Sequence, residues 1–141
     1  MGRILLVHDA LLTRDIALKE LMSRPSSSKD ETVVDRVQPS GVMLARFLRE
    51  ARLTGRLELP SIIPVYELGK RANGTIYYTM KLVRGRTLTK ALLETKSFED
   101  RLGLLNHFLD LCNAISYAHS KGVLHRDINP TNVRLGEFGE R

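Results

Sequence analysis

The chain has 141 residues, of which 43% are hydrophobic and 27% charged, a composition ordinary for one globular domain with a sizeable core. Its net charge of +6 comes from lysines and arginines scattered singly, which indicates a solvated surface rather than a nucleic-acid interface. No apolar run is long enough to span a bilayer, and the N-terminus lacks the pattern of a signal peptide. We therefore expect a cytoplasmic protein with no membrane segment and no nucleic-acid partner.

The first part of the chain alternates between strand and helix patterns. Residues 2–7 are short, apolar and β-prone, and residues 14–21 predict a second strand. The polar residues 23–29 predict a loop, with weak order continuing to about Ser40. A helix that begins at a Ser40 cap and ends at Gly55 is expected next. Its apolar stripe follows the spacing i, i+3, i+4 and i+7: Leu44, Phe47, Leu48 and Ala51.

The second part predicts a hairpin and two helices. Residues 62–68 and 75–83 read as strands, and Asn73-Gly74 between them is a strong turn signal. A short helix over residues 87–94 precedes a long one that begins at a capping pair, Ser97 and Asp100, and ends at Gly122. The long helix has one apolar face: Leu102, Leu105, Phe108, Leu109, Cys112 and Ile115. The single cysteine, Cys112, is expected to be buried there, without chemistry, in a reducing compartment.

A polar cluster, VLHRDINPTNVRL at residues 123–135, follows this helix directly. Asp127 is a carboxylate on a loop, and Asn132 offers an amide oxygen that suits a hard cation such as Mg²⁺. Pro130 stiffens the segment between them. Such a pair fits a site that holds a metal-bound phosphate near a hydroxyl whose proton Asp127 accepts. Composition leaves the alternative equally open, namely that both side chains make local turns with their own backbone.

Four segments carry a family resemblance, in order along the chain. HRDINPTN, residues 125–132, resembles the protein kinase catalytic loop H-R-D-L-x-x-x-N, and its proline resembles the Ser/Thr-kinase version. IALK, residues 16–19, resembles the V-A-I-K strand, and FLREAR, residues 47–52, is similar to the αC helix of bacterial kinases of the eukaryotic type. TMKLV, residues 79–83, resembles the strand that leads into the hinge. The resemblance covers essentially the whole chain.

The resemblance implies a fold and an activity. The fold class is α+β and protein-kinase-like, with residues 1–83 as N-lobe and hinge, containing an antiparallel sheet and the αC helix. Residues 84–141 would be the first helices and the catalytic loop of the C-lobe, so that the domain is incomplete at both ends. The activity is transfer of the ATP γ-phosphoryl group to a Ser or Thr hydroxyl of a protein substrate, with ATP and Mg²⁺ bound.

The resemblance also implies roles for individual residues. Lys19, held by Glu50, would orient the phosphates, Asp127 would receive the hydroxyl proton, and Asn132 would bind Mg²⁺. His125 and Arg126 would brace the loop. A larger group would bind the nucleotide, with Met80 as gatekeeper and the hinge backbone on adenine: Gly2, Ile4, Ala17, Met80, Lys81, Leu82 and Val83.

Several positions depart from the family pattern. Asn129 stands where the family has a lysine that steadies the γ-phosphate, and Arg134 stands where an apolar residue forms the adenine floor. These favour an alternative, a non-catalytic pseudokinase-like module that binds nucleotide or protein. Two further alternatives are weaker, because Arg126 replaces the glycine of the H-G-D motif of small-molecule phosphotransferases, and His119, His125 and Asp127 match no standard metal spacing.

We expect the 141 residues alone to transfer little or no phosphate. The chain starts at what would be the last glycine of the glycine-rich loop and stops before a D-F-G aspartate, since Glu137-Phe138-Gly139 comes too soon after Asn132 to be that motif. Losing a metal ligand and most of the phosphate cradle removes electrostatic terms that matter by orders of magnitude in rate. Autophosphorylation by the purified chain that disappears in Asp127→Asn would contradict this expectation.

Overall fold

The computed structural model describes residues 2–22 and 41–136. The polar loop predicted at 23–29, the weakly ordered stretch to about Ser40, the Ser40 helix cap and the segment Glu137-Phe138-Gly139 lie outside the described residues. Contacts divide the described chain into two compact units, which are presented separately. The first contains residues 2–22, 41–55 and 65–82, and the second contains residues 56–64 and 83–136.

The first unit is a four-stranded antiparallel sheet, in the order β1-β2-β4-β3, with one helix. Its elements are β1 (Gly2–Asp9), β2 (Arg14–Leu21), α1 (Gly41–Thr54), β3 (Val65–Lys70) and β4 (Ile76–Lys81). The strands predicted at 2–7 and 14–21 are confirmed, as is the end of the helix at Gly55, whose N–H donates to Ala51 O at 2.9 Å. The third strand begins at Val65 rather than at 62, directly after Pro64, which has no N–H for a ladder.

The register of the sheet places many of the candidate residues on one face. Residues directly opposite each other on neighbouring antiparallel strands share a face. Ile4 lies opposite Lys19, Lys19 lies opposite Tyr78, and Ala17 lies opposite Met80. Helix α1 packs on this same face, since its buried residues join two sheet residues in the core: Leu21, Phe47, Ala51 and Tyr78.

The opposite face of β2 buries a charged residue, Glu20. Only 4% of its side chain is exposed, between two arginines. Arg3 Nε of β1 lies 2.8 Å from Glu20 Oε1, and a terminal nitrogen of Arg3 contacts the same oxygen. Arg71 approaches from the β3–β4 turn, with a nitrogen 3.1 Å from Glu20 Oε2. A buried carboxylate is tolerated where both of its oxygens are paired in this way.

The predicted Asn73-Gly74 turn is confirmed. Gly74 has φ of 87°, in the region that only glycine enters at little strain. The Arg71 N–H donates to Thr75 O at 2.8 Å, and Asn73 Oδ1 accepts from the Thr75 N–H at 3.0 Å. The turn therefore fixes the position from which Arg71 reaches Glu20.

The second unit combines three helices with a two-stranded sheet. Its elements are β5 (Gly85–Thr87), α2 (Leu88–Glu94), α3 (Phe98–Leu102), α4 (Leu105–Ser120), a 3₁₀ turn (Pro130–Asn132) and β6 (Arg134–Gly136). Strands β5 and β6 pair antiparallel. Gly85 has φ of 141°, and a Cβ there would lie 1.9 Å from Leu135 O, so this pairing requires glycine. Among the described helices, none is both long enough and apolar enough to cross a membrane.

The prediction of one long helix from Ser97 is wrong. The capping box is present, because the Ser97 side chain accepts from the Asp100 N–H while Asp100 accepts from the Ser97 N–H. However, α3 ends at Leu102, and α4 begins only at Leu105. Gly103, which has low helix propensity, lies at this break, and the Leu104 N–H donates three residues back, to Arg101 O at 3.0 Å.

The prediction of a buried Cys112 is also wrong, since the structure leaves this residue exposed. The buried residues of α4 are Ala114 and Ala118 instead. The larger members of the predicted apolar face stay about half exposed: Leu102, Leu105, Phe108 and Leu109. The periodicity therefore identified an apolar side of the helix, but the side that packs against the described residues is the one with the alanines.

We predict that Glu20→Gln lowers the free energy of unfolding by about 2 kcal/mol, because the neutral amide places N–H groups against Arg3 and Arg71. Urea unfolding of the purified chain measures this. Glu67→Gln on β3 is the matched control, because Glu67 is an exposed carboxylate of the same sheet. Its effect should stay within about 0.5 kcal/mol, and equal losses in the two variants would contradict the role of Glu20.

Candidate active site

Lys19 and Glu50 meet in the first unit. Strand β2 carries Lys19, and α1 carries Glu50 on the flank of its buried residue Phe47. Lys19 Nζ lies 2.6 Å from Glu50 Oε1. The Lys19 side chain is 23% exposed and that of Glu50 is 49% exposed, so the contact lies at the edge of the core. The structure thus brings together the two residues that the resemblance had paired.

Tyr78 is a third member of this group, and sequence reasoning missed it. Its hydroxyl donates to the same Glu50 Oε1 at 2.8 Å, and its ring packs on Phe47 with 5.1 Å between centroids. Burial, the hydrogen bond to Glu50 and the charge of Glu50 all raise the pKa of Tyr78. The signal in the sequence was alternation, since residue 78 lies opposite Lys19 once the strands are in register.

Four of the candidate nucleotide-binding residues, Gly2, Ile4, Ala17 and Met80, lie on the face of the sheet that carries Lys19. Gly2 lies against the stem of Lys19, because a Cβ at Gly2 would be 3.0 Å from Lys19 Cε. Ile4 is exposed, Ala17 is buried, and Met80 is half-buried. Lys81 ends β4 and Leu82 follows it, whereas Val83 is the first residue of its stretch in the second unit.

The polar loop of the second unit begins where α4 ends. Gly122, with φ of 74°, donates to His119 O at 2.9 Å, and the Val123 N–H donates to Ala118 O at 2.9 Å. This pair of bonds is a Schellman motif, and it confirms Gly122 as the predicted end of the helix. Arg126 has φ of 68°, a left-handed conformation that costs a residue with a Cβ about 1 kcal/mol. The strain lies directly before Asp127, and such strain concentrates at functional sites.

Two amides hold the Asp127 carboxylate. Asn129 Nδ2 lies 3.0 Å from Asp127 Oδ1, and Asn132 Nδ2 lies 3.1 Å from Asp127 Oδ2. Asn132 Nδ2 also donates to the Asp127 backbone oxygen at 2.9 Å, while the Asp127 N–H donates to His125 Nδ1 at 3.2 Å. The side chain is oriented by the loop and is nevertheless exposed to solvent.

Asn129 also caps the 3₁₀ turn. Its Oδ1 accepts from the Thr131 N–H at 3.0 Å and from the Thr131 hydroxyl. Pro130 occupies the first position of the turn, where its missing N–H is not needed. A lysine could not accept these bonds, since its ammonium only donates. The lysine of the family pattern would bring a positive charge to this position. Asn129 instead links Asp127 by hydrogen bonds to the turn that carries Asn132.

The donor set of the loop fits a hard cation. Asn132 uses its amide nitrogen on Asp127, which leaves the Oδ1 at the other end of the amide for a ligand. Amide and carboxylate oxygens are suitable ligands for Mg²⁺. Within residues 2–22 and 41–136, no three His, Cys, Asp or Glu side chains are grouped as a metal site of their own, so His119, His125 and Asp127 do not form one.

Comparison with known proteins gives the family. The model of the protein kinase domain matches residues 1–139. The chain belongs to the protein kinase family. Its curated relatives include the serine/threonine-protein kinase PknD of Protochlamydia amoebophila, at 38% identity over 99% of this chain and 14% of the relative. PknD of Chlamydia trachomatis is 35% identical over 99% of this chain and 15% of the relative. The chain therefore spans about one seventh of the length of these relatives.

A solved structure supports the kinase fold. PpkA-294 in its apo form is similar with a TM-score of 0.73 and 26% identity, over 98% of this chain and 51% of that one. The α+β fold class predicted from the sequence is confirmed, and so is the resemblance to bacterial Ser/Thr kinases. This kinase-family chain spans about half of that solved chain.

We predict that the free energy of unfolding of the Tyr78→Phe variant falls less at alkaline pH than that of the wild type. The pKa of Tyr78 is raised from 10.0 in the folded chain, so Tyr78 ionises first in the unfolded chain. Its contribution to stability is therefore complete below about pH 10 and is lost as the pH rises further. Urea midpoints measured from about pH 9 to about pH 11 should fall less steeply in the variant than in the wild type. A steeper or unchanged slope would contradict the assignment.

Proposed function

We propose that this chain contributes the N-lobe and the first part of the C-lobe of a bacterial serine/threonine kinase, divided near residue 83. The contact between Lys19 Nζ and Glu50 Oε1 carries the proposal, because it joins the strand and helix that the resemblance pairs. The names of the relatives support protein Ser/Thr hydroxyls as the substrate class. A cytoplasmic location, where ATP is available, stays a prediction.

Lys19 is the proposed phosphate-binding group. An ammonium has three N–H donors, and the contact with Glu50 uses one of them. The other two are available to phosphate oxygens. Ile4, Ala17 and Met80 lie on the same face of the sheet and offer apolar surface for adenine.

Asp127 is the proposed proton acceptor. Bound Mg-ATP would supply the phosphoryl group and ADP as the leaving group. The substrate hydroxyl oxygen would bond to the γ-phosphorus as the bond to the bridging oxygen broke, and an Asp127 carboxylate oxygen would receive the hydroxyl proton. Asn129 and Asn132 keep that carboxylate in one orientation, and His125 accepts the Asp127 N–H. Asn132 Oδ1 is the proposed ligand for Mg²⁺, and Arg126 braces the loop.

One observation favours a second candidate, a nucleotide-binding module without transfer activity. Asn129 uses its side chain on Thr131 and Asp127, and it brings no positive charge to a γ-phosphate. Both candidates bind nucleotide. They differ in whether phosphate reaches a protein hydroxyl.

We predict that the purified chain binds Mg-ATP and that Lys19→Met weakens this binding at least tenfold, because a hydrogen bond between charged groups is lost. Isothermal titration calorimetry with and without Mg²⁺ measures the affinity. Asn132→Ala should lower only the part of the affinity that depends on Mg²⁺.

Lys70→Met is the matched control, since Lys70 is an exposed lysine at the end of β3 in the same sheet. It should retain the wild-type affinity. Absence of any heat of binding in the wild-type chain, or equal losses in the two lysine variants, would contradict the proposed function. If the chain binds Mg-ATP but longer polypeptides that contain it transfer no phosphate to protein, the non-catalytic module would be favoured.

A further inference from the structure

We propose that Tyr78 is a positioning residue, whose hydroxyl holds the Glu50 carboxylate against Lys19 before any nucleotide arrives. The consequence for affinity rests on the proposed function, in which Lys19 binds phosphate. The positioning itself does not depend on that function, because all three side chains belong to the first unit and already meet there.

The ion pair between Lys19 and Glu50 by itself does little to hold Glu50 in one orientation. Glu50 has 49% of its side chain exposed, and half-exposed pairs contribute little because water competes for both charges. A long glutamate side chain on a helix surface has many rotamers in which it points to solvent. A hydrogen-bond donor on the inner side of Glu50 would restrict this choice.

Tyr78 occupies that inner side. The residue is 4% exposed, and its ring packs on Phe47, which lies three residues before Glu50 on the same face of α1. This packing fixes the ring, and the ring aims the hydroxyl at Glu50 Oε1, 2.8 Å away. A buried tyrosine hydroxyl that loses its acceptor is penalised, so Glu50 cannot turn to solvent without leaving that hydroxyl unsatisfied.

Tyr78 also touches the other partner. Lys19 lies directly opposite it on β2, and Lys19 Nζ is 5.8 Å from the centroid of the Tyr78 ring, within the range of a cation–π contact. The ring and the hydroxyl therefore act on both members of the pair. A tyrosine hydroxyl is protonated at neutral pH and can donate there. Burial and Glu50 raise the pKa of Tyr78 further, so the hydroxyl remains a donor into the alkaline range.

The direct test observes the Lys19 ammonium by ¹H–¹⁵N NMR in the 141-residue chain without nucleotide. A lysine held in an ion pair exchanges its ammonium protons slowly, and Glu50→Gln identifies the signal by abolishing it. Tyr78→Phe removes only the hydroxyl and should speed this exchange several-fold. An unchanged Lys19 signal in Tyr78→Phe would overturn the proposal.

Tyr77→Phe is the matched control, because Tyr77 lies on the same strand but faces the other way, opposite Glu20 and over Gly69. It should leave the Lys19 signal as in the wild type. If both variants speed the exchange equally, the effect is general loosening of the sheet, and the positioning role is wrong.

Nucleotide affinity separates this proposal from the proposed function. Well below the unfolding temperature, Tyr78→Phe should weaken Mg-ATP binding about fivefold, and it should have no further effect in the Lys19→Met background. Equal weakening in both backgrounds would show that Tyr78 acts other than through Lys19. If the wild-type chain binds no nucleotide while the Lys19 signal still responds to Tyr78→Phe, the proposed function fails and the positioning role stands.

Discussion

One carboxylate oxygen, Glu50 Oε1, joins helix α1 to two strands of the sheet of the first unit. It accepts from Lys19 on β2 and from Tyr78 on β4, two residues that the strand register places side by side. Apolar contacts of Phe47 also hold the helix, but such contacts are non-directional and permit rotation and sliding. The two hydrogen bonds add direction, and the orientation of the proposed phosphate-binding lysine depends on them.

The sequence predicted the strands of the sheet better than it predicted the side-chain contacts between them and α1. Apolar patterning identified β1 and β2, and the Asn73-Gly74 signal located the turn beside β4. The pairing of Lys19 with Glu50 came from a family resemblance, because nothing local distinguishes Glu50 from a solvated carboxylate. Tyr78 was missed for a physical reason. Alternation places Tyr77 and Tyr78 on opposite faces, but only the packed helix shows which of the two tyrosines lies beneath α1.

The second unit shows a different limit of sequence reasoning. Helical periodicity marks the apolar side of α4, yet it carries no information about what covers that side, and so Cys112 was misplaced. In the polar loop the sequence left two readings open, local turns or a reaction centre. The structure shows the local turns, in which Asn129 and Asn132 donate to Asp127. The reaction centre stays a prediction. The role of Asn129, at a position where the family pattern has lysine, can therefore be interpreted only when its hydrogen-bond partners are known.

The two faces of β2 have different roles: one bears Glu20, which contributes to stability, and the other bears Lys19 of the candidate site. Neighbouring residues in a strand point to opposite sides, so Glu20 is buried between Arg3 and Arg71 while Lys19 turns toward α1. The arginine contacts tie β2 to β1 and to the β3–β4 turn, which fixes the backbone from which Lys19 projects. The more exposed member of the site is Glu50, on the helix. The arginine contacts on the opposite face therefore help to hold the strand that carries Lys19, whereas the orientation of Glu50 is set in part by its bonds to Lys19 and Tyr78.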